Sequence, residues 1–241
     1  MKIALIGYGK MGQMIESLAL EQGHEIVLKI HIDNTSEFTK ENIAAADVAI
    51  EFTGPDSAFD NVRKCLEWGM PVVSGSTGWN EKLPEARKIC QDLGGCFLHA
   101  SNFSIGVNIF FEINTLLAKL MAAQPAYTVS MKEIHHTQKK DAPSGTAVTL
   151  AEQVIAEIPF LKNWVNEVQG EKDQVAIESI RQDPAPGTHF VKYHSEVDEI
   201  EIIHTAHSRK GFALGAILAA EYISNKKGIF SMKDVLNIAS S

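Results

Sequence analysis

The stretch Met1-Lys2-Ile3-Ala4-Leu5-Ile6-Gly7-Tyr8-Gly9-Lys10-Met11-Gly12 decides how the rest of the chain is read. Lys2–Ile6 is an apolar run of strand length, and Gly7, Gly9 and Gly12 set a GxGxxG turn directly after it. The spacing of Met11, Met14, Ile15 and Leu18 then predicts a helix over Lys10–Gln22. Taken alone, a GxGxxG hexamer is a weak signal, because many are ordinary turns. Strand, glycine turn and helix in this order are the setting that a dinucleotide's pyrophosphate requires. Gly7 would make the turn, Gly9 would admit the phosphate to the backbone, and Gly12 would let the helix pack on the strand. The helix start adds free N–H groups and the positive end of its dipole.

Working outward, short apolar runs alternate with amphipathic ones through the first hundred residues. Strands are expected at Glu25–His31, Asp47–Phe52, Pro71–Ser74 and Cys96–His99, and helices at Asp56–Trp68 and Asn80–Leu93. This rhythm predicts a parallel sheet covered by helices on both faces. Asp33 ends the run Glu25–Asp33, about 20 residues beyond the glycines, where an acid can accept hydrogen bonds from the adenosine ribose. Its plainer reading is a turn residue, since Asp33-Asn34-Thr35-Ser36 is turn-like. No arginine follows Asp33 to take a 2′-phosphate, which leans towards NADH, yet Lys29 or Lys40 could serve; NADH and NADPH both stay open. Ser74-Gly75-Ser76-Thr77-Gly78 and Ala100-Ser101-Asn102-Phe103 fall at the carboxyl ends of expected strands. They are either further cofactor contacts or surface turns.

The rhythm changes after a long apolar segment around residues 106–123. Tyr127, Val129 and Met131 alternate with Thr128, Ser130 and Lys132, and the runs 175–181, 188–193 and 199–205 behave similarly. Period-two patterning of this kind predicts a mixed or antiparallel sheet covered on one side. A helix is expected at Ala147–Ala156, and Asp183-Pro184-Ala185-Pro186-Gly187 reads as a loop because proline cannot donate to a ladder. From Gly211 a wide apolar helical face returns. The expected architecture is α/β: a Rossmann-type parallel-sheet dinucleotide-binding domain (1–104 plus 213–241). Into it is inserted an α+β substrate and oligomerisation domain (105–212) with a mixed, open sheet.

Composition limits what such a protein binds. Its 241 residues carry a formal net charge of −8, which disfavours nucleic acid and anionic membranes as partners. A small anion would need a locally basic pocket. The odd set Cys65, Cys90 and Cys96 has no CxxC pair and reads as core thiols of a reducing compartment. No apolar run approaches the roughly 20 residues of a membrane span. The apolar start of the chain meets glycine at position 7, too soon for a signal peptide, so a cytoplasmic location is expected.

The densest chemistry lies in Glu133-Ile134-His135-His136-Thr137-Gln138-Lys139-Lys140-Asp141-Ala142-Pro143-Ser144-Gly145-Thr146-Ala147. HExxH spacing is absent and no cysteine lies nearby, so no metal is expected. Ser144 or Thr146 can cap the helix that follows, Gly145 admits a ligand, and the helix start can hold a carboxylate or phosphate. Lys132, Lys139 and Lys140 outnumber Glu133 and Asp141, which makes this the local basic pocket. Histidine exchanges protons near neutrality, and an adjacent lysine can neutralise a carboxylate or developing charge. Hydride donor in one domain, acid and anion cradle in the other, implies a reductase.

The run from His135 to Thr146 closely resembles the HHxxKxDAPSGT signature of the 4-hydroxy-tetrahydrodipicolinate reductase family. These are the dihydrodipicolinate reductases of bacterial lysine and diaminopimelate biosynthesis. Gly75–Gly78 resembles that family's GTTG, Ala100–Ser104 its AANFS, and Ser208-Arg209 with Phe212-Ala213 and Gly215-Ala216 its SSR…FA.GA segment. The resemblance implies reduction of the hydroxylated or dehydrated cyclic imine to tetrahydrodipicolinate by NADH or NADPH. It implies His135 as proton donor or acceptor and Lys139 as the second catalytic group. His136, Ser144, Gly145 and Thr146 would bind the carboxylates of a small dicarboxylate substrate. Gly7, Tyr8, Gly9, Lys10, Met11, Gly12, Asp33, Gly75, Ser76, Thr77, Ala100, Ser101, Asn102 and Phe103 would hold the dinucleotide. A homotetramer formed through the open sheets is also implied, as are hinges near Ser104 and Phe212.

The chain departs from the family's pattern at four places. The glycine turn is one residue shorter than GxxGxxG, Ile134 replaces alanine, Gly187-Thr188-His189 replaces GEH, and no glycine stands two residues after Arg181. Two alternatives compete. An aspartate-semialdehyde dehydrogenase-like reductase would need a catalytic cysteine near the His–Lys segment. A non-catalytic dinucleotide-sensing regulator would have no use for His135, Lys139 and the Ser144–Thr146 cradle together.

Overall fold

The computed structural model describes residues 1–238. In chain order the elements are β1 (Lys2–Ile6), α1 (Lys10–Glu21), β2 (Glu25–Ile30), α2 (Lys40–Ile43), β3 (Val48–Glu51), α3 (Pro55–Glu67), β4 (Val72–Ser74), α4 (Leu83–Leu93) and β5 (Cys96–His99). There follow α5 (Ile105–Met121), β6 (Thr128–His135), α6 (Gly145–Glu157), β7 (Asn163–Val165), β8 (Gln174–Arg181), β9 (Gly187–His194) and β10 (Glu199–Ala206). The chain ends with α7 (Lys210–Ile223), β11 (Gly228–Phe230) and α8 (Met232–Val235). Two compact units result: Met1–Ile105 with the chain from Lys210 onward, and Gly106–Arg209.

In the first unit the strands pair in the order β11-β5-β4-β3-β1-β2, all parallel. Both faces of β1 are covered, so Ile3, Ala4, Leu5 and Ile6 are all buried and the strand reads as a continuous apolar run instead of alternating. Ile3, Leu5, Val48 and Ile50 pack with Ile15 and Leu18 of α1 and with Ala216, Ile217 and Ala220 of α7. Ala4, Ile6, Ala49 and Val72 pack with Ala58, Val62 and Leu66 of α3 and Ala86 of α4. Strand order reverses between β1 and its neighbours β2 and β3, which opens a crevice at their carboxyl ends.

The second unit holds a mixed sheet of order β10-β9-β6-β8-β7, with β6 parallel to β8 and antiparallel to β9. Phe110, Ala118 and Met121 of α5 and Leu150 and Val154 of α6 form a core with Met131, Val175, Ile177, Val191 and Tyr193 from the strands. β9 shows the expected alternation: Gly187, His189, Val191 and Tyr193 are buried, while the residues between them are only half-buried. Both sheets thus agree with the expected α/β and mixed-sheet architecture. Strands β7 and β11 were not expected. Each has three residues, too few to show a period, and each adds an edge to a sheet already formed.

The tightest packing in the first unit is between α7 and the segment after β5. A Cβ on Gly215 would stand 1.8 Å from the carbonyl oxygen of Phe103, so only glycine lets α7 lie against this backbone. Gly215→Ala should therefore cost about 1–3 kcal/mol of stability through overpacking, read as a lower denaturant midpoint. An unchanged midpoint would mean that α7 moves away freely at this contact.

Candidate active site

The turn after β1 is built for close approach. Gly7 has φ +99°, and a Cβ there would meet the Phe52 carbonyl oxygen at 2.1 Å; one on Gly12 would meet the Gly7 carbonyl oxygen at 2.4 Å. These two glycines hold α1 against β1. Gly9 is different: a Cβ there meets nothing within 4 Å, and as N-cap of α1 it makes no side-chain capping bond. Open space in front of an uncapped helix start fits a pyrophosphate. On one side lies a cleft of about 630 Å³ lined by Gly7–Gly9, Ile30–Ile32, Phe38, Asp56, Asp60 and Lys64. On the other, a cleft of about 490 Å³ is lined by Gly9–Met11, Phe52–Pro55 and Gly75–Thr77.

Several expected cofactor residues turn out to be occupied otherwise. β2 stops at Ile30, and Asp33 sits in a 3₁₀ turn (Ile32–Glu37) instead of ending the strand. The cause is Asn34, whose Oδ1 accepts from the His31 N–H at 2.6 Å and whose Nδ2 donates to the Lys29 carbonyl. The Asp33 carboxylate is exposed and pairs with His31 Nδ1 at 2.9 Å. Lys29, considered for a 2′-phosphate, is taken by Glu16 at 3.2 Å and lies over the Tyr8 ring, whose hydroxyl also donates to Glu16. Ser76 turns its hydroxyl inward to Glu51 at 2.7 Å. Phe103 is buried against Phe52, with ring centroids 5.7 Å apart, so towards a ligand it has only backbone to offer. Asn102 Oδ1 accepts from the Ser104 N–H, and the Ala100 N–H donates to the Ser74 carbonyl.

In the second unit the centre is Glu133, which is wholly buried. The alternation that points Val129 and Met131 inward along β6 continues to Glu133 and His135, so the strand delivers an acid and a base to the covered face. Glu133 Oε1 accepts from the Ser144 N–H and from an Arg181 guanidinium nitrogen, both at 3.0 Å. Its Oε2 lies 3.2 Å from His135 Nδ1 and 3.8 Å from His189 Nε2. Ser144 caps α6 by accepting from the Ala147 N–H, and its hydroxyl meets His189 Nε2 at 3.2 Å. Arg181 also donates to the carbonyls of Lys139 and Asp141, which fixes the intervening loop. The His135 ring packs on Gly187, where a Cβ would stand 2.9 Å from Nε2. The Glu133 anchor on Nδ1 leaves Nε2 as the atom available for proton exchange.

Glu133, Arg181 and His189 were missed as site residues, although extending the β6 alternation by two positions points Glu133 inward. Lys132 does not join the pocket; it lies over Phe190 on the neighbouring strand, 4.4 Å from the ring centroid. Lys139 is held by Asp141 at 2.8 Å, and His136 Nε2 lies 3.4 Å from Arg209. Gly145 has open space where a Cβ would be, so its role is to leave room above the start of α6. Glu133, His135 and His189 each offer a donor atom within 4.8 Å of the others. Arg181 already balances the carboxylate, so a metal cation there would face a half-buried guanidinium 3.0 Å from Glu133.

A parallel-sheet unit with a glycine turn open at the helix start, and a second unit carrying a buried acid–histidine pair, are the parts of an NAD(P)H-dependent oxidoreductase. The chain belongs to the dihydrodipicolinate reductase family: residues 1–103 match the family's N-terminal model and residues 106–236 its C-terminal model. It is 49% identical to the 4-hydroxy-tetrahydrodipicolinate reductase of Christiangramia forsetii, over 98% of both chains. It is 35% identical to that of Thermosipho africanus, over 99% of both. Its fold is similar to a dipicolinate-bound dihydrodipicolinate reductase from Paenisporosarcina sp. TG-14, with TM-score 0.78, 22% identity and 99% of each chain covered. The semialdehyde dehydrogenase-like alternative fails on its cysteines: Cys65, Cys90 and Cys96 are all buried in the first unit, and burial pushes the Cys96 thiol up to about 11.

Electrostatics in the cluster oppose one another. Burial alone would raise the Glu133 carboxyl, but hydrogen bonds from His135, Ser144 and Arg181 together outweigh it and hold it below the ordinary range. Burial, and then the charge of His135, push His189 down to about 3 from 6.5, against the weaker pull of Glu133. A histidine depressed in this way stabilises the fold fully above pH 6.5 and progressively less as pH falls towards about 3. Unfolding free energy should drop by up to about 1.4 kcal/mol per pH unit across that window. In His189→Gln the slope between pH 6.5 and 4.5, above the range where Glu133 takes up a proton, should flatten. Equal slopes in urea titrations of the two proteins would assign the proton uptake elsewhere.

Proposed function

We propose that this chain reduces 4-hydroxy-tetrahydrodipicolinate, or its dehydrated form dihydrodipicolinate, to tetrahydrodipicolinate in lysine and diaminopimelate biosynthesis. The observation that carries this reading is the Glu133–His135 pair beside the Ser144-capped start of α6, because it sets a proton carrier next to an anion site. NADH or NADPH, bound across Gly7–Gly12 with Gly75–Thr77 and Ala100–Phe103 alongside, supplies the hydride. Towards that coenzyme Ser76 and Phe103 contribute backbone, and Asp33 would have to leave His31 to reach a ribose.

His135 supplies the proton at Nε2 while Glu133 holds Nδ1 and steadies the ring through the charge change. One substrate carboxylate lies at the positive end of α6, against Ser144, Gly145 and Thr146. Lys139 exchanges Asp141 for substrate and neutralises its charge, with His136 at the same rim. The imine's reduction thus draws its proton from one buried side chain and its electrostatic stabilisation from two cationic features. An open sheet whose edge strand β10 carries exposed Ile200 and Ile203, with Val197 exposed just before it, supports a homotetramer. No helix among the described residues is long and apolar enough to cross a membrane, which is compatible with work in the cytoplasm.

The ribose-side cleft supports NADH over NADPH. Lys64 is its only lysine, and Asp56 and Asp60 line the same cleft, so a 2′-phosphate meets more acid than base. The kcat/KM ratio should favour NADH, and Asp60→Ala should narrow the gap; a preference for NADPH would refute this part of the reading.

The activity is tested by coupling the protein to a dihydrodipicolinate synthase fed with pyruvate and aspartate semialdehyde. Substrate-dependent oxidation of reduced coenzyme is expected, and a flat trace beside a working control reductase would remove the assignment. His135→Ala should lower kcat by about 100-fold or more, the range for loss of a general acid. Lys139→Ala should do the same mainly through kcat/KM. Dinucleotide affinity should hold in both, and full turnover by either variant would strip that residue of its role.

A further inference from the structure

Glu51 is a second wholly buried carboxylate, at the carboxyl end of β3, and nothing in the proposed chemistry uses it. Its side-chain partners come from the turn after β3, from the last residue of β4 and from the turn after β4. The Thr53 N–H donates to Oε1 at 2.8 Å, as does the Thr53 hydroxyl, and the Ser76 hydroxyl donates to the same oxygen at 2.7 Å. The Ser74 hydroxyl donates to Oε2 at 2.6 Å. The Ser76 oxygen also accepts from the Thr53 N–H at 2.8 Å, which closes the ring between the two turns. Thr53 in turn accepts from Ser57 and Asn61, so the network reaches the first turns of α3. No lysine or arginine forms an ion pair with Glu51 among the described residues, so its oxygens are satisfied by these neutral donors.

Both turns are walls of the same opening. Thr53–Gly54 and Gly75–Thr77 line the cleft that faces Gly9–Met11. Gly75 is pressed on the Phe52 ring so closely that a Cβ would stand 2.1 Å from it, so the second turn cannot move without the first. A hydroxyl or an amide left facing a buried gap costs more than the bond it lost. The carboxylate therefore makes one shape of both turns much the cheapest, before any ligand arrives.

We propose that Glu51 is a positioning residue for the dinucleotide: its buried carboxylate clamps the turn after β3 to the turn after β4, presetting the two walls that receive the coenzyme beyond Gly9. The inference rests on reading that cleft as a dinucleotide site.

The test is fluorescence titration with NADH, together with steady-state kinetics and thermal melts, on Glu51→Gln, Glu51→Ala and Glu51→Asp. Loss of charge-assisted hydrogen bonds should raise the NADH Kd and KM by about tenfold in Glu51→Gln and further in Glu51→Ala. The kcat at saturating coenzyme and the KM for the imine should stay within about twofold, since the proton and carboxylate groups belong to the other unit. Aspartate can still accept from the N–H two residues on, the ordinary Asx-turn bond, so Glu51→Asp should recover most of the affinity. Unchanged NADH affinity in a folded Glu51→Gln protein would overturn the proposal. So would losses in Kd, imine KM and kcat that simply track the melting temperature, or failure of aspartate to rescue. Wild-type protein that binds no NADH would instead remove the dinucleotide reading itself.

Discussion

The second unit depends on one arrangement: the carboxylate of Glu133, with no contact to water, held between Arg181, the Ser144 N–H and His135. Burying a charge costs several kcal/mol, and only well-directed hydrogen bonds offset it. Once that cost is met, the partners cannot be elsewhere. Arg181 closes the end of β8 over the loop from Lys139 to Asp141, Ser144 sets where α6 begins, and His135 is left one nitrogen to use. An apolar residue at position 133 would give a core of similar size without any of these consequences. The acid is there for geometry more than for stability.

Glu51 and Glu133 show how sheet register creates chemistry. Glu51 ends a strand whose other residues are buried and apolar, and Glu133 lies between buried Met131 and buried His135; each bonds a residue that terminates a neighbouring strand, Ser74 or Arg181. They differ in their partners. Glu133 meets a guanidinium and a histidine, so its proton affinity is linked to ionisable neighbours. Glu51 meets a backbone amide and hydroxyls, which only shape loops. Glu51 ends its strand and Glu133 lies two residues before the end of its own; what separates them chemically is the partner set.

Long, covered elements were legible in the sequence for simple reasons. The β1–turn–α1 unit reads directly because Gly7 and Gly12 are sterically required and Ile3–Ile6 is buried on both faces. β6 and β9 read from their alternation; β4, with three residues, reads because all three are buried, whereas β7 and β11 are as short and have no buried residue to mark them. At the site, His135, Lys139 and Ser144 were visible as a local cluster, whereas Arg181 and His189 arrive through pairing with strands 46 and 56 residues away in register terms, His135 opposite Arg181 and Glu133 opposite His189. No local pattern encodes such pairings. Asp33 shows the opposite failure: its distance from the glycines was suitable, but the side-chain bonds of Asn34 end β2 early and turn the acid towards His31.

The acidic balance of the chain acquires a more specific meaning at the histidine site. Of the three lysines expected here, Lys139 is paired with Asp141 and Lys132 lies over Phe190, while Lys140 is exposed; Arg181 is paired with Glu133. The two ion pairs are not equally easy to open. Glu133 is buried and Arg181 only half-buried, so breaking their bond would strand the carboxylate away from water. Asp141 is more than half exposed in its side chain, so it can return to solvent at little cost when Lys139 turns away. In the proposed reaction Lys139 is thus the easier cation to recruit, while Arg181 stays with Glu133.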